Sequence, residues 1–114
     1  MRISVIAVGT RMPSWVSQGI TEYSKRLPRE LQLVWREIPL ARRGREACAS
    51  QSCAAEGEQM LKAIPTGEQV IALDVAGQRL STEQLARQLE NWQMMGDNHS
   101  FLIGGPEGLS PDCL

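Results

Sequence analysis

Ser100-Phe101-Leu102-Ile103-Gly104-Gly105-Pro106-Glu107-Gly108 is the stretch on which the reading of this chain turns. A short apolar run breaks into paired glycines and a proline, the pattern of a buried strand that delivers a loop rich in accessible backbone. Two adjacent glycines remove two Cβ atoms, so a flat ligand can reach the main-chain N–H and C=O groups there. A plain strand-to-helix turn would use the same residues, and both readings stand at this point. Working back from the loop, Ser81-Thr82-Glu83-Gln84 resembles a capping box. It opens a helix with Leu85, Leu89 and Trp92 at i, i+4 and i+7, which Gly96-Asp97-Asn98 ends.

Before that helix, residues 69–74 hold a third strand whose continuous centre, Val70-Ile71-Ala72-Leu73, is typical of a strand covered on both faces. A helix over 48–64 precedes it, with Cys53, Met60, Leu61 and Ile64 as the expected buried stripe and Pro65-Thr66-Gly67 as its stop. Leu31 to Ile38 reads as the second strand, with Leu31, Leu33 and Trp35 on one side. Trp15, Val16, Ile20, Tyr23 and Leu27 give a first helix one apolar face, and residues 2–8 form the first strand, closed by Gly9. The order β-α-β-α-β-α-β, with helices between short apolar strands, predicts an α/β fold. Its expected core is a parallel, doubly wound sheet with helices on both faces.

The 114 residues are expected to form a single domain. The hydrophobic content of 42% and charged content of 22% suit a globular protein, and no apolar run approaches the length of a membrane span. The N-terminus lacks a signal h-region, so a cytoplasmic location is expected. Cys48, Cys53 and Cys113 have no metal or redox spacing and read as three reduced thiols. With His99 the lone histidine, no metal site is expected. The net charge of −1 conceals a basic first part and an acidic remainder. The sharpest basic feature is Arg42-Arg43-Gly44-Arg45, which is either a solvated loop or a phosphate contact, since guanidinium forks match phosphate oxygens.

Open α/β sheets bind ligands at the carboxyl ends of their strands. Here those ends are Gly9-Thr10-Arg11, Leu73-Asp74-Val75 and the Gly104–Gly108 loop. No Walker string is present, and the first β-α turn, Gly9-Thr10-Arg11-Met12-Pro13, is not a dinucleotide fingerprint.

Several segments together carry a more specific resemblance. They are Val5-Ile6-Ala7-Val8-Gly9-Thr10-Arg11-Met12-Pro13-Ser14-Trp15-Val16, Thr21-Glu22-Tyr23, Glu56-Gly57-Glu58-Gln59-Met60-Leu61, Val70-Ile71-Ala72-Leu73-Asp74 and Leu102-Ile103-Gly104-Gly105-Pro106-Glu107-Gly108-Leu109-Ser110-Pro111. In register from end to end, the chain resembles the large-subunit ribosomal RNA methyltransferase H group of the SPOUT methyltransferases. The resemblance implies a homodimeric, trefoil-knotted α/β fold. It also implies methyl transfer from S-adenosylmethionine to N3 of a pseudouridine (pseudouridine 1915) of 23S rRNA in the assembled ribosome.

Carried over residue by residue, the resemblance makes Leu73, Gly104 and Gly105 cofactor contacts and Arg42, Arg43 and Arg45 RNA contacts. Family members continue for about forty residues through the knot-forming segment. The chain is therefore expected to be a truncated copy, and the alternative is a catalytically incompetent remnant that binds RNA or dimerises. No catalytic residue is assigned. Glu107 is either an orienting carboxylate or a surface acid. His99 is expected before the fourth strand in a structural or solvated role, and Trp15, Trp35 and Trp92 are expected in the core.

Overall fold

In the computed structural model, the described residues are 1–10, 12–40, 49–105 and 108–114. The sequence expectations for Arg11, Arg42, Arg43, Arg45, Cys48 and Glu107 fall outside them. Among the described residues four strands form one parallel sheet: β1 (Arg2–Val8), β2 (Gln32–Ile38), β3 (Gln69–Leu73) and β4 (His99–Ile103). Three helices alternate with them, α1 (Ser14–Lys25), α2 (Ala49–Ala63) and α3 (Thr82–Met95), and a 3-10 turn follows at Pro111–Cys113. The spatial order is β2-β1-β4-β3.

That order decides where the helices lie. The chain steps one way from β1 to β2, returns across the whole sheet to β3, and steps back inward to β4. Parallel crossovers are right-handed, so connections running in opposite directions cover opposite faces. On one face Ile6, Val8, Ile38 and Leu102 pack with Met60 of α2 and with Leu109 and Cys113 after β4. On the other, Ile3, Val5 and Leu31 pack with Leu89 of α3, Phe101 and Ile103. The sheet is thus doubly wound, as the element order predicts.

Local signals explain the ends of α3. Gln84 N donates to Ser81 Oγ at 3.1 Å and Ser81 N donates to Gln84 Oε1 at 2.8 Å, a closed capping box. Gly96 ends the helix in the left-handed region at φ 73°, where a side chain would be strained. At the amino ends of the strands, the Glu68 side chain is only 2% exposed. It accepts from Arg2 Nε at 3.0 Å and from Ser100 Oγ at 2.5 Å, tying β1 and β4 to the segment that enters β3.

Four expectations are corrected. Strand β3 is not covered on both faces: it is an edge strand, with Val70 45% and Leu73 50% exposed. A continuous apolar run marks burial, but it does not say whether neighbours within this chain supply it. In α2, among the residues whose side chains are described, Cys53, Glu56, Gly57 and Met60 are buried, while Leu61 faces outward. Trp15 and Trp35 are exposed rather than core residues, because the apolar side of α1 lines a groove instead of filling one. His99 lies within β4, buried and stacked on Trp92 with ring centroids 4.0 Å apart.

Candidate functional site

The carboxyl ends of β1 and β4 meet at the centre of the sheet, and the chain leaves them in opposite directions. After β1 it passes through Gly9 to α1 on one face. After β4 it passes to Leu109 and the 3-10 turn on the other. In open α/β sheets, ligands bind beyond the strand ends at such a divergence.

Register brings the sequence-predicted residues together there. Leu73 is the lateral partner of Ile103, and Ala7 is its partner on the other side, so Leu73 and Gly104 stand at one rim with Val8 and Gly9. Leu73 is half-exposed and also borders an apolar cleft of about 430 Å³ with Ile71, Leu80, Leu85, Trp92 and Phe101. Asp74, the next residue, is occupied locally. Its Oδ2 accepts from Ala76 N at 3.1 Å and its carbonyl accepts from Gly77 N at 3.1 Å, which turns the chain away from the rim.

The glycine loop is shaped by close backbone approach. Gly108 N donates to Gly105 O at 2.9 Å, and Gly108 takes φ +82°. A Cβ on Gly104 would lie 2.5 Å from Gly108 C and 2.8 Å from Leu109 N, so no side chain fits without moving the backbone. A Cβ on Gly105 would lie 2.9 Å from Val8 Cγ1 and 3.1 Å from Glu56 Oε1. Packing by itself therefore favours glycine at both positions.

Beneath the loop lies α2. Cys53 Sγ donates to Gly108 O at 3.4 Å, and Cys113 Sγ donates to Gly57 O at 3.7 Å. Gly57 has no room for a side chain, since a Cβ there would meet Ser110 Oγ at 2.2 Å. Sequence reasoning missed Glu56 and Gly57 as the floor of the site. The available signal was a Glu-Gly pair at stripe spacing between Cys53 and Met60, where an amphipathic helix is expected to place apolar residues.

The structure brings Leu73, Gly104 and Gly105 to one end of the sheet, whereas Arg42, Arg43 and Arg45 lie outside the described residues. Among the described residues no group of His, Cys, Asp or Glu side chains could hold a metal ion. Among them too, no helix is long and apolar enough to cross a membrane. His99 stands at the amino end of β4, the opposite end from the loop.

The chain is similar to known proteins along its whole length. The family described as "Predicted SPOUT methyltransferase" matches residues 1–114. A "Ribosomal RNA large subunit methyltransferase H" of Marinomonas sp. (strain MWYL1) is 50% identical over 113 residues, covering 99% of this chain and 73% of that relative. A protein of the same description from Saccharophagus degradans is 52% identical over 114 residues, covering 100% of this chain and 74% of that relative.

Proposed function

The chain belongs to the SPOUT methyltransferases, and from that membership we propose that it methylates N3 of a pseudouridine in 23S rRNA with S-adenosylmethionine as donor. The observation that carries this reading is the rim formed by Leu73, Gly104 and Gly105. It joins a half-exposed apolar side chain to two glycines whose Cβ positions are already filled by neighbouring atoms. Adenine suits such a rim, because it needs an apolar surface for its ring and backbone groups for its edge. Leu73 would lie against the ring, and the Gly104-Gly105 backbone would meet its polar edge.

S-adenosylmethionine supplies an electrophilic methyl group on a sulfonium. The task left to the protein is to hold donor and acceptor in line, which is chiefly a matter of proximity and orientation. The acceptor N3–H of pseudouridine lies between two carbonyls and is more acidic than an ordinary amide. A strong general base is not required. Arg42, Arg43 and Arg45 would hold the RNA backbone, as guanidinium groups do with phosphate. We assign the chain to the cytoplasm and to ribosome-associated RNA. We also assign it a homodimeric state, which the apolar face of α1 with exposed Trp15 and Tyr23 supports.

Calorimetric titration of the 114-residue chain with S-adenosylmethionine tests the cofactor assignment, with saturable 1:1 binding per chain as the expected result. Transfer of a labelled methyl group to intact ribosomes, mapped by nuclease digestion and mass spectrometry, tests the substrate. The label should appear on a pseudouridine at N3. Label on another nucleotide would refute the position, and neither binding nor transfer would favour an incompetent remnant.

A further inference from the structure

The segment that follows Gly108 is held against α2 by contacts that meet at one glycine. Cys113 Sγ donates to Gly57 O at 3.7 Å inside the core, and Ser110 Oγ donates to Cys113 Sγ at 3.4 Å. Cys113 N donates in turn to Ser110 O at 3.0 Å, which closes the 3-10 turn over the helix. Glycine is a poor residue for the middle of a helix, and here space accounts for it. A Cβ at position 57 would lie 2.2 Å from Ser110 Oγ and 2.9 Å from Ser110 Cβ. Leu109 and Cys113, on either side of Ser110, are buried in the core with Met60 of the same helix. Ser110 therefore has little freedom to lift away by itself.

The same segment touches the glycine rim. Gly108, joined directly to Leu109, donates its N–H to Gly105 O at 2.9 Å and pairs with Gly105 as an isolated antiparallel bridge. From this arrangement we infer that Gly57 is a positioning residue for Gly105. By letting Ser110 sit directly on α2, it fixes the depth at which Gly108 meets the Gly105 carbonyl. The inference rests on the cofactor reading given above, in which Gly105 belongs to the adenine rim. Gly57 touches no ligand in this account and acts through Ser110, Leu109 and Gly108.

The test adds one carbon to the contact and then makes room for it, in the 114-residue chain. Gly57→Ala supplies the clashing Cβ, and Gly57→Ala with Ser110→Gly removes the atoms it strikes. In Gly57→Ala the amide NMR signals of Gly105 and Gly108 should move, while those of the β1–β2 pairing stay in place. Affinity of the folded variant for S-adenosylmethionine, measured by calorimetry, should fall about tenfold, the scale expected when a binding surface is slightly misplaced. The double variant should return both signals and recover affinity to within about threefold of the wild type, as coupled neighbours do. A purely structural glycine would lower the melting temperature and leave the affinity of the folded chain unchanged.

Unmoved glycine signals in folded Gly57→Ala would overturn the inference. So would moved signals with unchanged affinity, or a loss of affinity that Ser110→Gly does not repair. If Gly57→Ala does not fold, Cys113→Ala removes the bond to Gly57 O without adding bulk. It should move the same two signals, and unmoved signals there would overturn the inference as well. If the signals move and return while the wild-type chain binds no S-adenosylmethionine, the cofactor reading fails and the hold of Gly57 on Gly105 stands.

Discussion

Gly104 and Gly105 are neighbours in sequence, yet they fail differently when given a methyl group. At Gly104 the obstructing atoms are backbone, 2.5 to 2.8 Å away, and backbone cannot step aside. At Gly105 they are the ends of the Val8 and Glu56 side chains, which can yield by a few tenths of an ångström. Gly104→Ala should therefore cost about 2 kcal/mol and Gly105→Ala about 1 kcal/mol in urea unfolding, the usual range for overpacking. Equal costs would contradict the distances. His99 invites the opposite kind of change. Among the described residues neither of its ring nitrogens has a hydrogen-bond partner, although the ring is buried against Trp92. His99→Phe keeps the stack and removes two unsatisfied polar atoms, so it should raise stability by about 1 kcal/mol at neutral pH. A lower urea midpoint would contradict that expectation. Neither effect is legible from residue type alone, because both depend on which atoms stand opposite.

At the scale of elements, the signals carried by local chemistry are the most legible. Ser81 and Gln84 close the capping box that their spacing announces, and Gly96 takes the left-handed conformation that its position after Met95 requires. Ser81→Ala should cost about 1 kcal/mol, measured by chemical denaturation, because one cap acceptor for the first-turn N–H groups is lost. Elements whose environment comes from elsewhere in the chain are less legible. Val70-Ile71-Ala72-Leu73 has the composition of a central strand but lies at an edge. Strand propensity responds to burial and records nothing of sheet order. In α2, apolar periodicity selected Leu61 and passed over Glu56, since a period assigns a polar residue to solvent unless a loop comes down to meet it.

The whole molecule is looser than its length implies. Its radius of gyration is 15.1 Å, against about 13 Å for a compact domain of this length. Its accessible surface is 8354 Å², against roughly 6,200 Å² for a compact monomer of this mass. On one face Trp15, Ile20, Tyr23 and Leu27 of α1 meet Leu33 and Trp35 across an apolar groove of about 520 Å³. Apolar surface on this scale drives association. Sedimentation velocity should therefore show concentration-dependent self-association, and Trp15→Lys with Tyr23→Lys should return the chain to a monomer without lowering its melting temperature. A wild-type chain that is monomeric at every concentration would contradict this.

The α/β class, the alternation of elements, the helix caps and the location of the glycine loop at a strand end were all determined by the sequence itself. Each depends on chemistry within a few residues, where the backbone responds directly to side-chain type. The strand order β2-β1-β4-β3, the edge position of β3 and the exposure of α1 were decided only by the tertiary structure. So was the carboxyl group of Glu56 beneath Gly105. These follow from which surfaces meet across long sequence separations, and neither apolar periodicity nor residue composition records the identity of the partner.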